Sequence, residues 1–498
     1  MVVVVYFFKL QSIIYNQSFL IHIYAMNRNS AFFLLLCLLL PRMGQAQCYT
    51  DFNPGEFYVT VLKSDGTLWG WGFNNYYNLA SDLEQNIELT PIQLGTFTDI
   101  IGNINGGNNT FVFRSNGTLW GVGQNTNGAL GVNSSVDAIS NFTQIGSGSW
   151  SKVSNRRGFS FFIKNDGTLW GAGVNNSYQM GQGSTTPLSQ LSLVQITSAS
   201  NYVEVVSCAS GAGIALRSDG TLWGWGSNSA GLMMQGSSTG VVPLPIQLGT
   251  ENQWQKISSF GAHILALKTD GSLWSWGEGG YGQTGDGLSP TLFRNTPRRV
   301  GTDTWREIAT GLFSSYGIKT DGTLWAWGAN DYGQLGIGNL IDQPMPVQIG
   351  TDTNWDKVKC KSQNFAIASK TDGTLWVWGD NTYGQFGNGT SDNSSTVPVQ
   401  VPGICLLSSP EVTAASAVLK GYPNPASDII TLDYAAFPEA TALVWYDLTG
   451  RILRQVPLPH GETQFTEDVS ALPVGSYLTA LQNKNGQIIT QLRVLIAR

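Results

Sequence analysis

A short string that returns seven times at an almost fixed interval limits what this chain can become. Copies of Asp-Gly-Thr-Leu-Trp, or a near variant, begin at Asp65, Asn116, Asp166, Asp219, Asp270, Asp321 and Asp372, spaced 50 to 53 residues apart. Such a period marks a repeat architecture, whose units bury their apolar faces only by stacking on one another. The order within a unit is constant. An apolar stretch such as Trp355 to Val358 is followed by a second, Phe365 to Lys370, then the turn, a third stretch, a polar loop and a fourth. Asp-Gly predicts a two-residue hairpin turn with positive φ at its central residues. Units of this length with four strands predict propeller blades. The 358 residues from Cys48 to Cys405 hold seven periods with nothing left over. The expected fold is all-β: a seven-bladed β-propeller of four-stranded blades, with a smaller β unit behind it.

Composition agrees and excludes several functions. Charged residues are only 12% of the chain and glycine accounts for 59 of 498 residues, a balance that disfavours helices. With 27 Lys and Arg against 33 Asp and Glu, the net charge of -6 lacks the phosphate attraction that drives nucleic-acid binding. The three histidines, His22, His263 and His460, are too scattered for a metal centre or a Ser/His/Asp arrangement. Every Gly-x-Gly ends a strand, so no phosphate-cradling loop opens a helix. No cofactor and no catalytic residue is expected. Carboxylates outside the turns are Asp99, Glu204, Glu251, Glu278, Asp286, Glu307 and Asp356, the positions from which a hydrolytic pair would have to come.

The amino terminus reads as an address. From Met26 a short basic opening with Arg28 leads into an apolar run, Ala31 to Leu40, and then to small residues that place signal cleavage between Ala46 and Gln47. The apolar but interrupted stretch before Met26 reads as a misassigned start; the alternative is an uncleaved membrane anchor, for which neither segment offers a continuous span. On the first reading the mature chain has no transmembrane segment. Cys48 aligns with Trp355 when both are counted back from their turn, and Cys405 falls where an eighth unit would begin. Both map to the seam of the ring, where a disulfide would close a very long loop, the alternative being two free thiols. Cys208 and Cys360 belong to blades that are not neighbours and read as buried thiols.

The repeat, with its Asn-x-x-Gly-Gln-Leu-Gly stretch from Asn330 to Gly336 and again from Asn381 to Gly387 with Phe386, resembles the regulator-of-chromosome-condensation repeat family over residues 48 to 405. That resemblance implies seven blades and a protein-binding platform. Some members are exchange factors for small GTPases, a role the signal segment argues against, and one secreted bacterial group inhibits β-lactamases. Tyr77 to Ala80 and Gly231 to Met234 depart from the motif and mark degenerate blades. After a polar linker, Tyr422-Pro423-Asn424-Pro425, the run Tyr446-Asp447-Leu448-Thr449-Gly450-Arg451, the pair Gly475 and Tyr477, and Arg493 to Leu495 resemble a type IX secretion sorting domain. That implies a small β-sandwich, a partner in the secretion machinery of a Bacteroidota-type bacterium, and a destination outside the cell or on its surface. The expected organisation is 1–46 start and signal, 47–405 propeller, 406–418 linker and 419–498 sorting domain.

Sixteen of the 17 tryptophans fall at repeat positions and read as packing between blades. Tyr77, Tyr178, Tyr281, Tyr332 and Tyr383 share the loop after the third strand and are the binding candidates, since variable loops on a rigid scaffold carry specificity. The reading is a non-enzymatic module for an extracellular protein or glycan. The alternatives are a propeller lyase or glycosidase, and a secreted inhibitor of a bacterial enzyme. The cleavage expectation is checked by mass spectrometry of the exported protein: its first residue is Gln47, and a peptide retaining residues before Ala46 contradicts the signal reading.

Overall fold

Each repeat is organised by its turn. Asp65 Oδ1 accepts the backbone N–H of Thr67 (3.0 Å) and its hydroxyl (2.6 Å), and Thr67 Oγ1 accepts the indole N–H of Trp69 (3.0 Å). The same relay recurs from Asn116 to Trp120 and from Asp372 to Trp376, and the fifth copy runs it through Ser272. A cation from the second strand lies over the tryptophan: Lys63 is 3.3 Å from the Trp69 ring centroid, Arg217 3.7 Å from Trp223 and Lys319 3.5 Å from Trp325. The turn itself is one residue longer than expected. Gly66 N–H is donated to Lys63 O (3.1 Å) and Lys63 N–H to Thr67 O (2.9 Å), so the loop encloses Ser64, Asp65 and Gly66. Only the glycine is left-handed, with φ of 77°. This is the three-residue hairpin built on a turn followed by a left-handed residue. The aspartate stays right-handed because its carboxylate must reach the N–H two residues on.

The computed structural model describes residues 48–406 apart from 82–84 and 289–292, and residues 419–497 apart from 423–425, 435–436, 438–439, 447–451, 460–461 and 485–487. The signal segment, Ala46, Gln47, most of the linker, and Pro423, Asn424, Pro425, Asp447, Gly450 and Arg451 lie outside the described residues. Among the described residues there is no α-helix. Seven antiparallel blades are present. The first uses Cys48–Pro54, Tyr58–Lys63, Leu68–Phe73 and Ile87–Gln93, each strand paired with the next. The fifth and sixth blades share one 18-residue strand, Phe293–Thr310, which ends one sheet and starts the other.

Blade interiors depend on the asparagine that opens the loop motif. Asn330 is fully buried; its Oδ1 accepts Leu335 N–H (3.0 Å) and its Nδ2 donates to Asn339 O (2.9 Å) and Ile341 O (3.2 Å). One side chain thus satisfies a loop that would otherwise bury unpaired backbone groups. The loop then reaches the next blade: Gly338 N–H is donated to Thr396 O (2.8 Å), with counterparts from blades two, three, five and seven. Blades one and four show no such bond among the described residues. There Ala80 and Met234 replace the motif's final glycine while keeping left-handed φ of 48° and 53°. The sequence departures therefore carry backbone strain and leave the fold intact, with Asn295 Nδ2 of blade five donating to Gly236 O (3.4 Å) of blade four.

The joints between blades use the second tryptophan of the third strand. Trp378 donates its indole N–H to Gln334 O (2.7 Å) of the blade before, Trp327 to Gln283 O (2.9 Å) and Trp276 to Leu232 O (3.0 Å), all three rings being fully buried. Trp71 does the same across the seam, to Gln385 O at 2.8 Å, and so closes the ring. Beside it Cys48–Pro54 pairs in parallel with the end of Ser395–Leu406, with Cys48 opposite Cys405. Their side chains lie outside the described residues. The register shifts one expectation: Tyr49, not Cys48, stands opposite Lys63 as Trp355 stands opposite Lys370, because the connection to the second strand of blade one is a residue shorter. Cys208 and Cys360 are buried free thiols, and burial pushes both up to about 12.

In the carboxy-terminal unit a three-stranded sheet (Lys420–Tyr422, Ile429–Asp433, Gln464–Asp468) and a four-stranded one (Ile452–Pro457, Ala440–Tyr446, Gly475–Asn483, Ile488–Ile496) share a core containing Leu432, Trp445, Tyr477 and Val494. Tyr477 donates its hydroxyl to Pro473 O at 2.7 Å, which closes the turn that contains Gly475, while Tyr422 is exposed.

Two outcomes follow from the seam. Neighbouring strands lie about 4.8 Å apart, inside the Cα range a disulfide accepts, so the denatured mature chain titrates as two thiols when Cys48 and Cys405 are joined and as four when they are not. Trp71→Phe strips Gln385 O of its buried donor and lowers stability by about 1–3 kcal/mol in chemical denaturation, whereas an unchanged midpoint shows that closure does not depend on this bond.

Candidate functional site

Strand alternation puts the first-to-second and third-to-fourth strand loops at one end of the ring and the Asp-Gly turns at the other. The five candidate tyrosines are all in loops of the first kind, yet they occupy two positions. Tyr281, Tyr332 and Tyr383 donate their backbone N–H groups to Gln283, Gln334 and Gln385 Oε1 at 2.8–2.9 Å, the place Ser177 takes in blade three. Tyr77 and Tyr178 sit one residue further on, at the left-handed position (φ 63° and 62°) that glycine fills in blades six and seven. The rings differ in exposure as well. Tyr383 is half-buried because it packs on both Phe57 (5.0 Å) and Phe73 (4.8 Å) of blade one, while Tyr281, which packs on Phe313 alone (4.9 Å), and Tyr332 are 43% and 44% exposed. Gly282 packs on Pro344 and Gly333 on Thr396, so each exposed ring stands at a junction between blades. Exposed apolar side chains follow in the same loops and adjoining strands: Leu288, Leu340, Ile341, Met345 and Val397.

The second site is the axis. The first strands of all seven blades line a cavity of about 730 Å³. Two residues after the opening aromatic or aliphatic residue, one position recurs around the ring: Asp51, Gly102, Lys152, Glu204, Lys256, Glu307 and Lys357. Apart from the glycine, the charges alternate. Lys256 meets Glu307 of the next blade at 2.5 Å, and Glu204 accepts the N–H of Ile257 at 2.9 Å. Burial raises the Glu204 carboxyl despite Lys256 and Lys152 nearby, with Glu307 adding to the rise. Asp51 is also desolvated, but Lys359 at 2.8 Å outweighs that and holds its carboxyl below the usual range.

Toward the loop end, side chains reach across the axis to blades that are not adjacent. Arg157 of blade three makes a two-pronged contact with Glu56 of blade one, Nε to Oε2 at 2.8 Å. Lys361 of blade seven donates to Asn105 O of blade two at 2.7 Å. Arg156 lies 4.1 Å from the Phe260 ring centroid of blade five, and burial brings its guanidinium down to about 10 against the pull of Glu56.

Of the seven carboxylates singled out in the sequence, only Glu204 and Glu307 line this cavity. Asp99 pairs with Arg114 and Glu251 with Lys268, both at 2.9 Å; Asp286 pairs with Arg294 at 2.5 Å, and Asp356 lies 4.0 Å from Arg306. Glu278 is half-buried, and burial raises its carboxyl. His263 is buried with Nε2 2.8 Å from Ser315 Oγ, and desolvation pushes its imidazole down to about 3, which fits a structural residue. The axial lysines and asparagines were not singled out in the sequence. The signal available was the repeat position itself, read relative to the first-strand aromatic rather than to the turn.

Comparison with known proteins places this arrangement. The profile of the RCC1-like domain matches residues 157–418, more than half of the chain. The chain belongs to that family. A second profile, the secretion system C-terminal sorting domain, matches residues 420–495 and supports secretion or display at the outer-membrane surface. The RCC1-like region is 29% identical over 235 residues to the mouse (Mus musculus) E3 ubiquitin-protein ligase HERC2, covering 44% of this chain and 5% of that protein. It is 29% identical over 206 residues to the ultraviolet-B receptor UVR8 of Arabidopsis thaliana, covering 40% and 46%. The chain thus spans less than half the length of these relatives. Among solved structures, human WBSCR16 superposes with a TM-score of 0.60 at 20% identity, covering 67% of this chain and 94% of that one. Prp20p of Saccharomyces cerevisiae gives 0.57 at 19%, covering 63% and 80%. These two establish the propeller fold.

Proposed function

We propose that this RCC1-like chain is a secreted or surface-held interaction module. Its propeller, residues 47–405, binds an extracellular protein or glycan through the loop face, and residues 419–498 engage the type IX machinery for export. The observation that carries the reading is the pair of exposed rings, Tyr281 and Tyr332, standing at successive blade junctions beside exposed apolar side chains. Exposed aromatic anchors next to apolar surface are what binding faces are made of. The opposite end repeats one turn seven times, which is the signature of a structural role. The family and the sorting profile support an interaction module destined for the exterior.

A catalytic reading has one observation in its favour: Glu204 is raised by burial and feels Glu307. A glycosidase needs a second carboxylate free to act, and here Glu307 is held by Lys256 and Asp51 by Lys359.

The test is retention. The mature chain is immobilised and exposed to culture supernatant and surface extracts, and the paired substitution Tyr281→Ala with Tyr332→Ala is run beside it. A species held by the parent and weakened by about tenfold or more in the variant supports the loop face as the binding surface. Equal retention by both removes these rings from the account.

A further inference from the structure

We infer that the axial cavity is a second, separate site, for a small carboxylate that also carries hydroxyl groups, of the sugar-acid kind, held by Lys361 and the asparagines around it. It does not depend on the loop-face reading. The whole chain carries a net charge of -6, yet the first-strand charges at the axis run the other way: Lys152, Lys256, Lys357, Lys359 and Lys361 against Asp51, Glu204 and Glu307. Two of the lysines are already balanced within the ring, Lys256 by Glu307 and Lys359 by Asp51 and Asn53 Oδ1 (3.0 Å).

Of the lysines left without a carboxylate, Lys152 and Lys357 are exposed, and Lys361 is the one withdrawn from solvent. It is half-buried in the cavity wall, and its one hydrogen-bond acceptor is a neutral backbone carbonyl, Asn105 O. Among the described residues no carboxylate pairs with it. Desolvation, with Lys359 adding repulsion, brings its ammonium down to about 7, as expected for a cation without a counter-charge.

Around it runs a buried amide network. Asn53 Nδ2 donates to Asn103 O (2.9 Å), Asn103 Nδ2 to Thr60 Oγ1 (2.6 Å), Thr60 to Asn105 Oδ1 (3.0 Å) and Asn105 Nδ2 to Asn53 O (2.6 Å). One group is left over. Asn103 lines the cavity and is 2% exposed, and its Oδ1 has no donor. A buried acceptor without a partner is costly unless something supplies a hydrogen. One ligand answers both vacancies when its carboxylate meets Lys361 and a hydroxyl meets Asn103. The cavity is of the size that encloses a small molecule.

The experiment is isothermal titration of the mature chain with D-glucuronate, D-glucose and sodium sulfate at about pH 6 and about pH 8.5. Glucuronate saturates a single site at the lower pH and weakens about tenfold or more at the higher, as Lys361 loses its proton. Glucose lacks the charge and sulfate the hydroxyl, so both fail to saturate. The charged group acting on Lys361 is Lys359, two residues before it and itself paired with Asp51; the Glu56–Arg157 pair lies at the loop end. Across the cavity Glu204 loses a proton with the same sign, so Glu204→Gln is run as a control and keeps the pH step. Lys361→Gln abolishes the step. Asn103→Asp, close to isosteric, weakens binding through repulsion and keeps the test open if the lysine variant does not fold by circular dichroism. Tyr281→Ala with Tyr332→Ala leaves glucuronate binding unchanged. The proposal is overturned if glucuronate gives no saturable heat, if Lys361→Gln binds it as the parent does, or if sulfate binds equally well.

Discussion

The joint between blades is the constraint on which the rest of the molecule depends. Each four-stranded sheet is too small to bury its own apolar face, and the indole of the second third-strand tryptophan fills the gap to the neighbour while its N–H ends on the neighbour's loop carbonyl. Apolar burial has no direction, but the hydrogen bond does. It fixes how far one blade is rotated against the last, and that rotation, repeated, sets the number of blades at which Trp71 meets Gln385. Blades two and three carry Val122 and Ala172 at this position, so the joint between two and three relies on packing and the loop bond Asn133 N–H to Leu191 O, and that between one and two on Tyr58 Oη donating to Asn109 O (2.5 Å) and Thr110 Oγ1 to Asn78 O (2.7 Å). Among the described residues four joints carry both devices; between blades four and five Trp276 is joined by Asn295 Nδ2 donating to Gly236 O at 3.4 Å in place of the backbone bond.

Much of this was legible in the residues. The period, the four strands per unit and the seam at Cys48 and Cys405 follow from spacing, because a local motif copied seven times has only one way to stack. What the repeated Thr and Trp do was less accessible, since packing between blades accounts for the second tryptophan but not the first. Trp69 and its equivalents are only half-buried, fixed by a hydroxyl and covered by a lysine or arginine. The turn length was misjudged for a related reason: Asp-Gly is compatible with two hairpin geometries, and the choice is made by the threonine two residues on. The axial charges were the least accessible. They sit where the first strand is irregular, and connections of unequal length, one residue shorter in blade one, blur the alignment when it is anchored on the turn.

The candidate tyrosines show how a repeat can mislead at one-residue resolution. Five rings in seven loops look like one position, but two of them are tyrosines forced into the left-handed conformation that glycine occupies elsewhere. For a non-glycine residue this conformation costs of order 1 kcal/mol. Tyr77 and Tyr178 hold it because the asparagine three residues before fixes the loop from both sides, as Asn175 does by accepting Met180 N–H and donating to Ser184 O. Their rings therefore answer to the loop, whereas those of Tyr281 and Tyr332 stay largely open to solvent, Tyr281 resting one side on Phe313.

What repeats in this chain is scaffold, and what departs from the repeat is where a ligand can be told from solvent. The same holds at the axis. Alternation of Lys and Glu at one position lets neighbouring blades neutralise each other across the ring, and such pairs, half-exposed as Lys256 and Glu307 are, contribute modestly to stability. Their larger effect is on the potential inside the cavity, where charges gathered around a confined volume focus the field. Once Lys256 and Lys359 are paired, the excess of positive charge there rests on Lys152, Lys357 and Lys361, of which Lys361 is withdrawn from solvent and crosses the axis to a neutral carbonyl. An acidic protein thereby presents a cationic interior, and an anion entering it leaves a repelling surface for an attracting core.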